Sequence, residues 1–569
     1  MIDATHYSSV GEMLRDAFVQ FKTNTALVEM DRKRESVRLT YLETKHAANG
    51  IAKRLVDAGV KAGDRVAIVM TNQPRYLIAA YAAFHVGAIV VPIDYKLTAK
   101  ERDALLQHAK PKVLVIEYQL YRQQEKLPPC LVLVTEAPES ADLPKGVERW
   151  ESLAPTADEP TFVPRRRDDT ATIVYSSGTG GRPKGCMLPH DAYLSQYTAL
   201  TELYPMVLGD RYFSILPTNH AIDFMCGFIG PLSGGAMVVH QRTLRPEFIF
   251  ETLKAMRITH MSLVPMILTA FERAIREKLD ALPPYKKQLI DALMNVNEAL
   301  TRKKPQRLVS RTLLKPIHEA FGGELKLLFC GGAFVDRERA EFFYKLGIPV
   351  VIGYGLTEAC TVATVNDLKP FRGDSVGRPV RGVEVRVENA DATGVGEVVL
   401  RGPTLMKGYL DDPEQTAETI REDGFLKTGD LGWMDAANHL HLVGRAKNMI
   451  VTEGGKNIYP EDIEGAFSDV ACDELAVFAA NYIWKKRDLT GEQLLAVLRV
   501  QKNEESEKKL SAALRDLKER NLKLPDFKRV SGVLVWDEAF PRTASMKLKR
   551  EELAKQLASK SSAQSVSPL

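Results

Sequence analysis

Apolar and polar positions are arranged in two ways along about the first 360 residues. Short runs that are almost wholly apolar, such as RVAIVM at 65–70, predict buried strands. Between these runs lie segments with helical spacing, for example the stretch after Thr40, in which Ala48, Ile51 and Leu55 share one face. Apolar strands that alternate with helices are typical of parallel sheets covered on both faces. This part of the chain is therefore predicted to be α/β.

The pattern changes beyond Arg372. Alternating runs such as VEVRVE and GEVVLRG, separated by Gly and Asp turns, predict a small β-barrel or sandwich at about 372–440. From Asn448 to about Lys555 the pattern predicts a compact α+β unit, and the polar tail at 556–569 predicts disorder. We expect an α/β protein with a large N-terminal domain of two parallel-sheet α/β subdomains plus a small β-barrel subdomain, followed by a small α+β C-terminal domain.

A long charged stretch from Met266 to Phe321 is predicted to be mostly helical. Within it an apolar stripe falls on one helical face, formed by Leu289, Leu293, Val296 and Leu300. The stripe is predicted to pack against the body of the protein, and interfacial membrane binding is left open.

Composition limits the function classes. A chain of 569 residues is too long for one core, and a net charge of +4 does not favour a nucleic-acid partner. The six cysteines are scattered without a C-x-x-C pair, which predicts reduced thiols and no zinc site. The first residues lack the basic start and apolar run of a signal peptide, and the most apolar segment, at 221–239, is interrupted by Asp, Pro and Gly. We expect a cytoplasmic protein, with peripheral membrane contact left open.

A glycine-rich loop is the strongest chemical signal. The predicted strand Ala171–Tyr175 runs into SSGTGGRPKG at 176–185, which combines four glycines, three hydroxyls and two cations. A strand that ends in such a loop presents backbone N–H groups to a phosphate chain. Neither a Walker loop nor a dinucleotide fingerprint fits the spacing, since Pro183 stands where the latter needs its third glycine. An ordinary surface loop is the competing interpretation.

Glycines also follow two later strands, in LKLLFCGGAFVD at 325–336 and PVVIGYGLTEA at 349–359. A further strand ends in the segment that carries His220. Open α/β sheets bind ligands at the carboxyl ends of their strands. These segments are therefore predicted to line a site together with the glycine-rich loop.

Taken in order, the motifs resemble those of the acyl-adenylate-forming superfamily, which comprises acyl-CoA synthetases, luciferases and peptide-synthetase adenylation domains. The likeness covers roughly residues 8–552 and is carried by YSSGTGGRPKG, LPTNH, CGGA, GYGLTE, GEVVLRGPTLMKGYLDDPEQT, KTGDLG, GRAKNMI, GGKNIYPEDIE and PRTASMKLKR. It implies a two-step ligase, in which a carboxylate attacks the α-phosphate of ATP to give acyl-AMP and pyrophosphate, and a thiol, usually that of coenzyme A, then displaces AMP.

The resemblance also implies site residues. Those that would bind the nucleotide or coenzyme are Ser176, Ser177, Gly178, Thr179, Gly181, Lys184, Gly331, Gly332, Ala333, Tyr354, Gly355, Thr357, Asp430, Arg445 and Gly455. Thr179 and Glu358 match positions that help to hold Mg²⁺, and Lys547 matches the lysine that polarises the α-phosphate and carboxylate oxygens. The competing interpretations are a surface acid for Glu358, a turn-former for Asp430 and one cation among several for Lys547, and without the other motifs these would be favoured for Asp430 and Lys547.

The resemblance divides the chain at Lys447, which matches the hinge between an N-terminal domain (1–446) and a mobile C-terminal domain (447–555). Rotation there would exchange Lys547 for the Gly455 loop between the two half-reactions. His220 matches the position at the acyl and thiol junction, with a packed core histidine as the competing interpretation. Three departures from the family pattern are Gly180 in place of Ser or Thr, Met546 in place of Gly, and Asn448 in place of Asp.

The substrates are narrowed by two further features. The helical stretch at 266–321 resembles the enlarged segment of long-chain fatty acyl-CoA ligases, and the apolar loops at 220–230 and 261–265 suit an apolar acyl pocket. Glu358 reaches Gly377 without room for the insertion of acyl-AMP ligases, which favours coenzyme A as acceptor. A medium- or long-chain fatty acid, ATP, Mg²⁺ and coenzyme A are expected, in a monomer or homodimer. Alternatives are transfer to a carrier-protein thiol and a catalytically silent nucleotide-binding protein.

Overall fold

The computed structural model describes residues 2–176, 184–451, 457–468, 470–484, 493–501, 506–543 and 548–569. The chain divides into two compact units. The first unit is Met1–Val385 with Leu400–Leu426, and the second is Arg386–Val399 with Lys427–Leu569. The second unit therefore begins earlier in the chain than the predicted boundary at 447.

A seven-stranded sheet lies in the first unit. Its strands are ordered Val147–Arg149, Leu131–Thr135, Val113–Glu117, Arg65–Val69, Ile89–Pro92, Thr170–Ser176 and Lys184–Pro189. All neighbouring pairs are parallel except the last, which is an antiparallel hairpin. The strand Lys184–Pro189 was missed by the sequence prediction, which assigned Ser176–Gly185 wholly to a loop.

A nine-stranded sheet completes the α/β core of the first unit. Its order is Arg378–Pro379, Thr364–Val365, Val350–Tyr354, Leu327–Gly331, His260–Leu263, Arg211–Ser214, Met237–Gln241, Thr25–Asp31 and Arg34–Thr40. The six central strands, from Val350–Tyr354 to Thr25–Asp31, run parallel, and the outer pairs are antiparallel. The prediction of two largely parallel sheets is confirmed.

Helices of the first unit form where apolar spacing and capping residues coincide. Tyr41–Asp57 begins at Thr40, whose hydroxyl accepts from the Glu43 N–H while the Glu43 carboxylate accepts from the Thr40 N–H. The other α-helices are Val10–Gln20, Pro74–His85, Ala99–Ala109, Tyr118–Tyr121, His190–Leu203, Ala221–Asp223, Gly230–Gly234, Pro246–Ala255, Pro265–Asp280, Pro284–Thr301, Arg307–Leu313, Lys315–Ala320, Arg337–Lys345 and Pro413–Thr419. A π-helix, Phe224–Ile229, lies between two of them. None of the helices in the described part of the chain has the length and apolarity needed to cross a bilayer.

The apolar stripe on Pro284–Thr301 does not lie where the sequence prediction put it. Leu289, Val296 and Leu300 are exposed, and only Leu293 packs partly against the core. The opposite face, with Asn297 and Thr301, is buried instead. The prediction that the stripe packs against the body is therefore wrong for three of its four residues.

The second unit has two four-stranded sheets and one two-stranded sheet among its described residues. Their orders are Glu384–Glu388, Gly396–Arg401, Leu426–Met434 and Leu440–Arg445; Glu474–Ala479, Leu494–Arg499, Gly532–Trp536 and Ser567–Pro568; and Ile450–Val451 with Asn457–Ile458. The helices are Pro460–Ala466, Ala480–Ile483, Ser506–Lys523 and Arg550–Lys560. The tail expected to be disordered instead finishes a helix and adds a short strand beside Gly532–Val533.

Candidate active site

Ser176 and Lys184 face each other at the base of the glycine-rich loop. They form the last pair of the hairpin between Thr170–Ser176 and Lys184–Pro189. Its first strand is fixed in the sheet because Ala171, Ile173 and Val174 are buried. The hairpin thus holds one hydroxyl and one cation at the two ends of the predicted phosphate loop. Ser177, Gly178, Thr179 and Gly181 lie outside the described residues.

Glu358 is where the two sheets of the first unit converge. It lies in the short 3₁₀ turn Thr357–Ala359, which follows the strand Val350–Tyr354 of the nine-stranded sheet. Its Oε1 accepts from the Ser176 hydroxyl, at the edge of the seven-stranded sheet, over 3.1 Å. The sequence interpretation of Glu358 as a plain surface acid is therefore not supported by its surroundings.

Tyr409 is a site residue that sequence reasoning missed. Its hydroxyl donates to the same Oε1 of Glu358 over 3.1 Å, and the Lys184 Nζ lies 4.9 Å from the centre of its ring. Residues 407–410 run beside the hairpin, where the Leu410 N–H donates to the Gly185 carbonyl. Burial, and then the negative charge of Glu358, raise the pKa of Tyr409 far above its usual range, so the hydroxyl stays a donor. The available signal was the motif MKGYLDDPEQT, which contains Tyr409.

The two glycine-bearing strands lie side by side, as predicted. Gly331 pairs with Gly353 at the carboxyl ends of parallel strands, and a Cβ on Gly331 would lie 2.9 Å from the Gly353 carbonyl oxygen. Gly332 has φ of +84°, a conformation that favours glycine. Tyr354 ends its strand and is buried, whereas Ala333 is exposed. Gly355 and Thr357 follow shortly after Tyr354, so these predicted nucleotide-binding residues lie in one continuous segment.

His220 forms an ion pair with Asp94. Its Nε2 lies 3.1 Å from the Asp94 Oδ2, and its side chain is 31% exposed, which is too open for a packed core histidine. Burial pushes the pKa of Asp94 upward, but the neighbouring His220 and the hydrogen bond from the Lys96 N–H outweigh it and hold that pKa below its usual range. Asp94 was not predicted from the sequence, although it follows the apolar run AIVVPI directly.

A buried carboxyl group supports the loop that carries His220. Asp223 is fully buried and accepts hydrogen bonds from the hydroxyls of Ser214, Thr218 and Tyr212 over 2.7, 2.9 and 3.1 Å. Burial raises its pKa to about 6 in spite of these donors. The three hydrogen bonds tie the start of the 221–229 helical segment to the strand end before it.

Two of the predicted nucleotide-binding residues are paired in the second unit. Asp430 and Arg445 are direct cross-strand partners, and the Arg445 Nε lies 2.7 Å from the Asp430 Oδ1. The Asp430 side chain is only 11% exposed, so its carboxylate is held in a fixed position rather than serving as a turn-former. Lys447 follows in the 3₁₀ turn Ala446–Asn448, and Asn448 Nδ2 donates to Glu461 Oε1 over 2.5 Å. Gly455 and Lys547, like Gly180 and Met546, lie outside the described residues.

The donor set around Glu358 fits Mg²⁺ that is shared with a nucleotide. Mg²⁺ in phosphate-transfer sites takes one or two carboxylates and completes its shell with phosphate oxygens and water. Glu358 supplies one carboxylate, and its Oε2 has no hydrogen bond from another described residue. No group of three or more His, Cys, Asp or Glu that could hold a metal on its own occurs in the described part of the chain.

Known proteins resemble this chain over most of its length. The model of the AMP-binding enzyme family matches residues 14–410. The chain belongs to the AMP-binding enzyme family. Like its solved neighbours, this family member has the adenylate-forming fold.

Several relatives of this AMP-binding enzyme are similar to it over most of their length. A Mycobacterium tuberculosis 3-[(3aS,4S,7aS)-7a-methyl-1,5-dioxo-octahydro-1H-inden-4-yl]propanoyl:CoA ligase is 30% identical over 469 residues, which cover 78% of this chain and 80% of that protein. The long-chain-fatty-acid–CoA ligase heimdall of Drosophila melanogaster is 29% identical, and the match covers 75% of this chain and 67% of that protein. An Amycolatopsis feruloyl-CoA synthase is 29% identical, and the match covers 75% of this chain and 77% of that protein.

Two solved structures illustrate the fold. The anthranilate CoA ligase AuaEII in complex with anthranoyl-AMP has a TM-score of 0.75 at 21% identity, with 98% of this chain and 100% of that one covered. The Mycobacterium tuberculosis fatty acyl CoA synthetase has a TM-score of 0.65 at 24% identity, with 97% and 99% covered.

Proposed function

We propose that this AMP-binding enzyme is an ATP-dependent acid–CoA ligase that activates a medium- or long-chain fatty acid. The carboxylate would attack the α-phosphate of ATP, forming a P–O bond to the acyl oxygen as pyrophosphate leaves. The thiol of coenzyme A would then add to the acyl carbon and displace AMP. In the first half-reaction a negatively charged carboxylate must approach the negatively charged phosphates, and in the second negative charge develops on the acyl oxygen, so the protein must supply cations and fixed donors.

The proposal rests mainly on the hydrogen bonds that Glu358 accepts beside the glycine-rich loop. Two hydroxyls, from Ser176 and Tyr409, hold one of its oxygens, and Ser176 and Lys184 stand at the two ends of the glycine-rich loop. A carboxylate fixed beside a phosphate loop is what a nucleotide-bound Mg²⁺ needs, and the ion would neutralise charge on the phosphates. A carboxylate alone in that position would repel them.

Residues outside the phosphate loop are also assigned roles. His220, whose Nε2 lies 3.1 Å from the Asp94 Oδ2, is proposed to hold the incoming carboxylate by a hydrogen bond. In the second unit, Asp430 is proposed to accept hydrogen bonds from the ribose hydroxyls, with Arg445 holding the Asp430 carboxylate in place. Lys547 is proposed to polarise the α-phosphate and carboxylate oxygens, and Lys447 to be the hinge on which it moves.

A fatty acid is proposed because apolar side chains surround the segment after His220. Phe224, Met225 and Phe228 on the π-helix are buried, as are Met261 and Leu263 on a neighbouring strand of the nine-stranded sheet. The named relatives act on acids with apolar bodies of different shapes, including fatty, feruloyl and fused-ring acids. Coenzyme A is proposed as acceptor since these relatives are named as its ligases.

An activity panel tests this proposal. Acetate, octanoate, palmitate and an aromatic acid are each incubated with ATP, Mg²⁺ and coenzyme A, and acyl-CoA and AMP are measured together. We expect both products in equal amounts, with palmitate or octanoate preferred. Preference for the aromatic acid would refute the fatty-acid assignment, acyl-AMP that transfers only to a carrier-protein thiol would refute the coenzyme A assignment, and nucleotide binding without AMP from any acid would favour a silent protein.

A further inference from the structure

The helix Pro284–Thr301 turns an apolar face to solvent. Tyr285, Leu289, Val296 and Leu300 are 67%, 58%, 46% and 54% exposed. At 100° per residue these four positions fall within about 60° of one another, so they form one continuous stripe. Ala292 is also exposed in the middle of the stripe and leaves no polar interruption. Exposed apolar side chains in such a row mark interaction sites rather than the scattered hydrophobic residues of an ordinary surface.

The same helix is anchored to the protein by its opposite side. Asn297 donates to the Lys345 carbonyl over 3.0 Å and accepts from Ser310, while the Thr301 carbonyl accepts from Tyr344 over 2.6 Å. Met294 is buried between them and belongs to the core of the first unit. Because hydrogen bonds fix the inner face, the outer stripe is not required for folding.

Positive charge is concentrated around this stripe. Residues 284–315 contain eight Lys and Arg and two acids, and four of these cations, Lys287, Arg307, Arg311 and Lys315, pair with acids outside this range. Arg302, Lys303 and Lys304, directly after the helix, are exposed and have no ion pair with another described residue. The acids, Asp291 and Glu298, lie about half a turn around the helix from the stripe by the same 100° spacing. The apolar face is therefore bordered by uncompensated cations.

We propose that this face, defined by Tyr285, Leu289, Val296 and Leu300 together with Arg302–Lys304, docks on the surface of an anionic phospholipid bilayer. A helix with an apolar face and flanking cations lies in the interface with its apolar side chains among the acyl chains and its cations at the headgroups. Pairing of two copies through this face is disfavoured by charge repulsion. Parallel helices would place each basic cluster, Lys286–Lys287 and Arg302–Lys304, against its own copy, and antiparallel helices would place the one cluster against the other. The inference is independent of the proposed substrate, although it would place the enzyme where an apolar acid accumulates.

Vesicle flotation with the full chain tests the proposal. Vesicles of phosphatidylcholine alone are compared with vesicles of phosphatidylcholine and phosphatidylglycerol in equal parts. The apolar variant carries Leu289→Ser, Val296→Ser and Leu300→Ser, and its control carries Val19→Ser, Leu203→Ser and Leu208→Ser, which change equally exposed residues elsewhere. The charge variant carries Arg302→Gln, Lys303→Gln and Lys304→Gln, and its control carries Lys508→Gln, Lys509→Gln and Lys518→Gln.

We expect the native chain and both controls to float with the anionic vesicles and to be released by salt. Each cation near an anionic surface contributes a factor of about five, so the charge variant should partition on the order of a hundredfold less. The apolar variant should also stay in solution, with thermal unfolding unchanged. Failure of the native chain to float, or flotation of both variants like the native chain, would overturn the proposal. The proposal would also be overturned if no form of the protein bound vesicles and sedimentation velocity showed a concentration-dependent dimer that the apolar variant abolishes.

Discussion

His220 and Asp94 come from strand ends of different sheets, yet the His220 Nε2 lies 3.1 Å from the Asp94 Oδ2. The Asp94 side chain is only 9% exposed, so the pair is sheltered from the solvent screening that weakens surface ion pairs. The arrangement fixes the imidazole at the segment that leads into the buried apolar helix Phe224–Ile229.

Asp94→Asn should raise the KM for the acid about tenfold, because His220 loses the carboxylate 3.1 Å from its Nε2, and about 1.4 kcal/mol corresponds to a factor of ten. The KM for ATP should stay unchanged, as should both constants in the surface control Asp142→Asn. Steady-state kinetics of acyl-CoA formation measures these values. In a double-mutant cycle with His220→Ala, the two changes should not add, since Asp94 is proposed to act through His220. Additive effects would show that Asp94 acts on its own.

Tyr409→Phe should weaken the use of Mg²⁺. The change removes one of the two hydroxyl donors to Glu358 and leaves the ring near Lys184 in place. Loss of a residue that orients a metal ligand typically costs about 10–100-fold in metal affinity or activity. The Mg²⁺ concentration that gives half-maximal AMP formation should rise at least about tenfold. An unchanged Mg²⁺ dependence would mean that Tyr409 only supports the strand.

Asp223 should make stability depend on pH in the direction opposite to an ordinary paired carboxylate. The pKa of Asp223 is about 6 in the folded protein and 3.8 for an unperturbed Asp, so the folded state binds more protons than the unfolded state between these pH values. The free energy of unfolding should then fall as pH rises from about 4 to about 6, by roughly 3 kcal/mol for this residue. Relative to Asp223→Asn, the native protein should lose that amount in denaturant titrations across the interval. Parallel pH profiles of the two proteins would contradict the raised pKa.

Lys547→Ala should separate the two half-reactions. We expect adenylation to be lost, because the α-phosphate and carboxylate oxygens lose their cation, and thioester formation from supplied acyl-AMP to be retained. Lys549→Ala, two residues further on, is the matched control and should preserve both reactions. Equal loss of adenylation and thioester formation in Lys547→Ala would refute the assignment.

Much of the fold followed from hydrophobic spacing. Buried parallel strands such as Arg65–Val69 and Val350–Tyr354 are short apolar runs, and glycines directly after them place Gly331 and Tyr354 together at a shared edge. The strand Lys184–Pro189 could not be found in this way, since the glycines and cations before it hide its first residues. Tyr409 was missed because its role depends on a hairpin that lies far away in sequence.

The helix Pro284–Thr301 shows why periodicity alone does not decide which face is buried. The apolar stripe correctly predicted a helix, but the stripe was predicted to be the buried face and is exposed instead, because polar residues fix the buried face. The Asn297 amide donates to the Lys345 carbonyl of a neighbouring helix, and the Thr301 hydroxyl donates to the Asn297 carbonyl, which a hydrophobicity pattern does not register. A polar side chain that finds buried partners can thus outweigh an apolar stripe on the opposite face.

Acid-dependent exchange between ATP and pyrophosphate tests the central claim most directly. With labelled pyrophosphate, Mg²⁺ and palmitate, the native protein should form labelled ATP, and omission of the acid should abolish the label. Glu358→Gln keeps an oxygen for the Ser176 and Tyr409 hydroxyls but loses the charge, so it should exchange at least about a hundredfold more slowly. Binding of ATP without exchange on palmitate or any other acid, or full exchange in Glu358→Gln, would contradict the proposed acid-activating site.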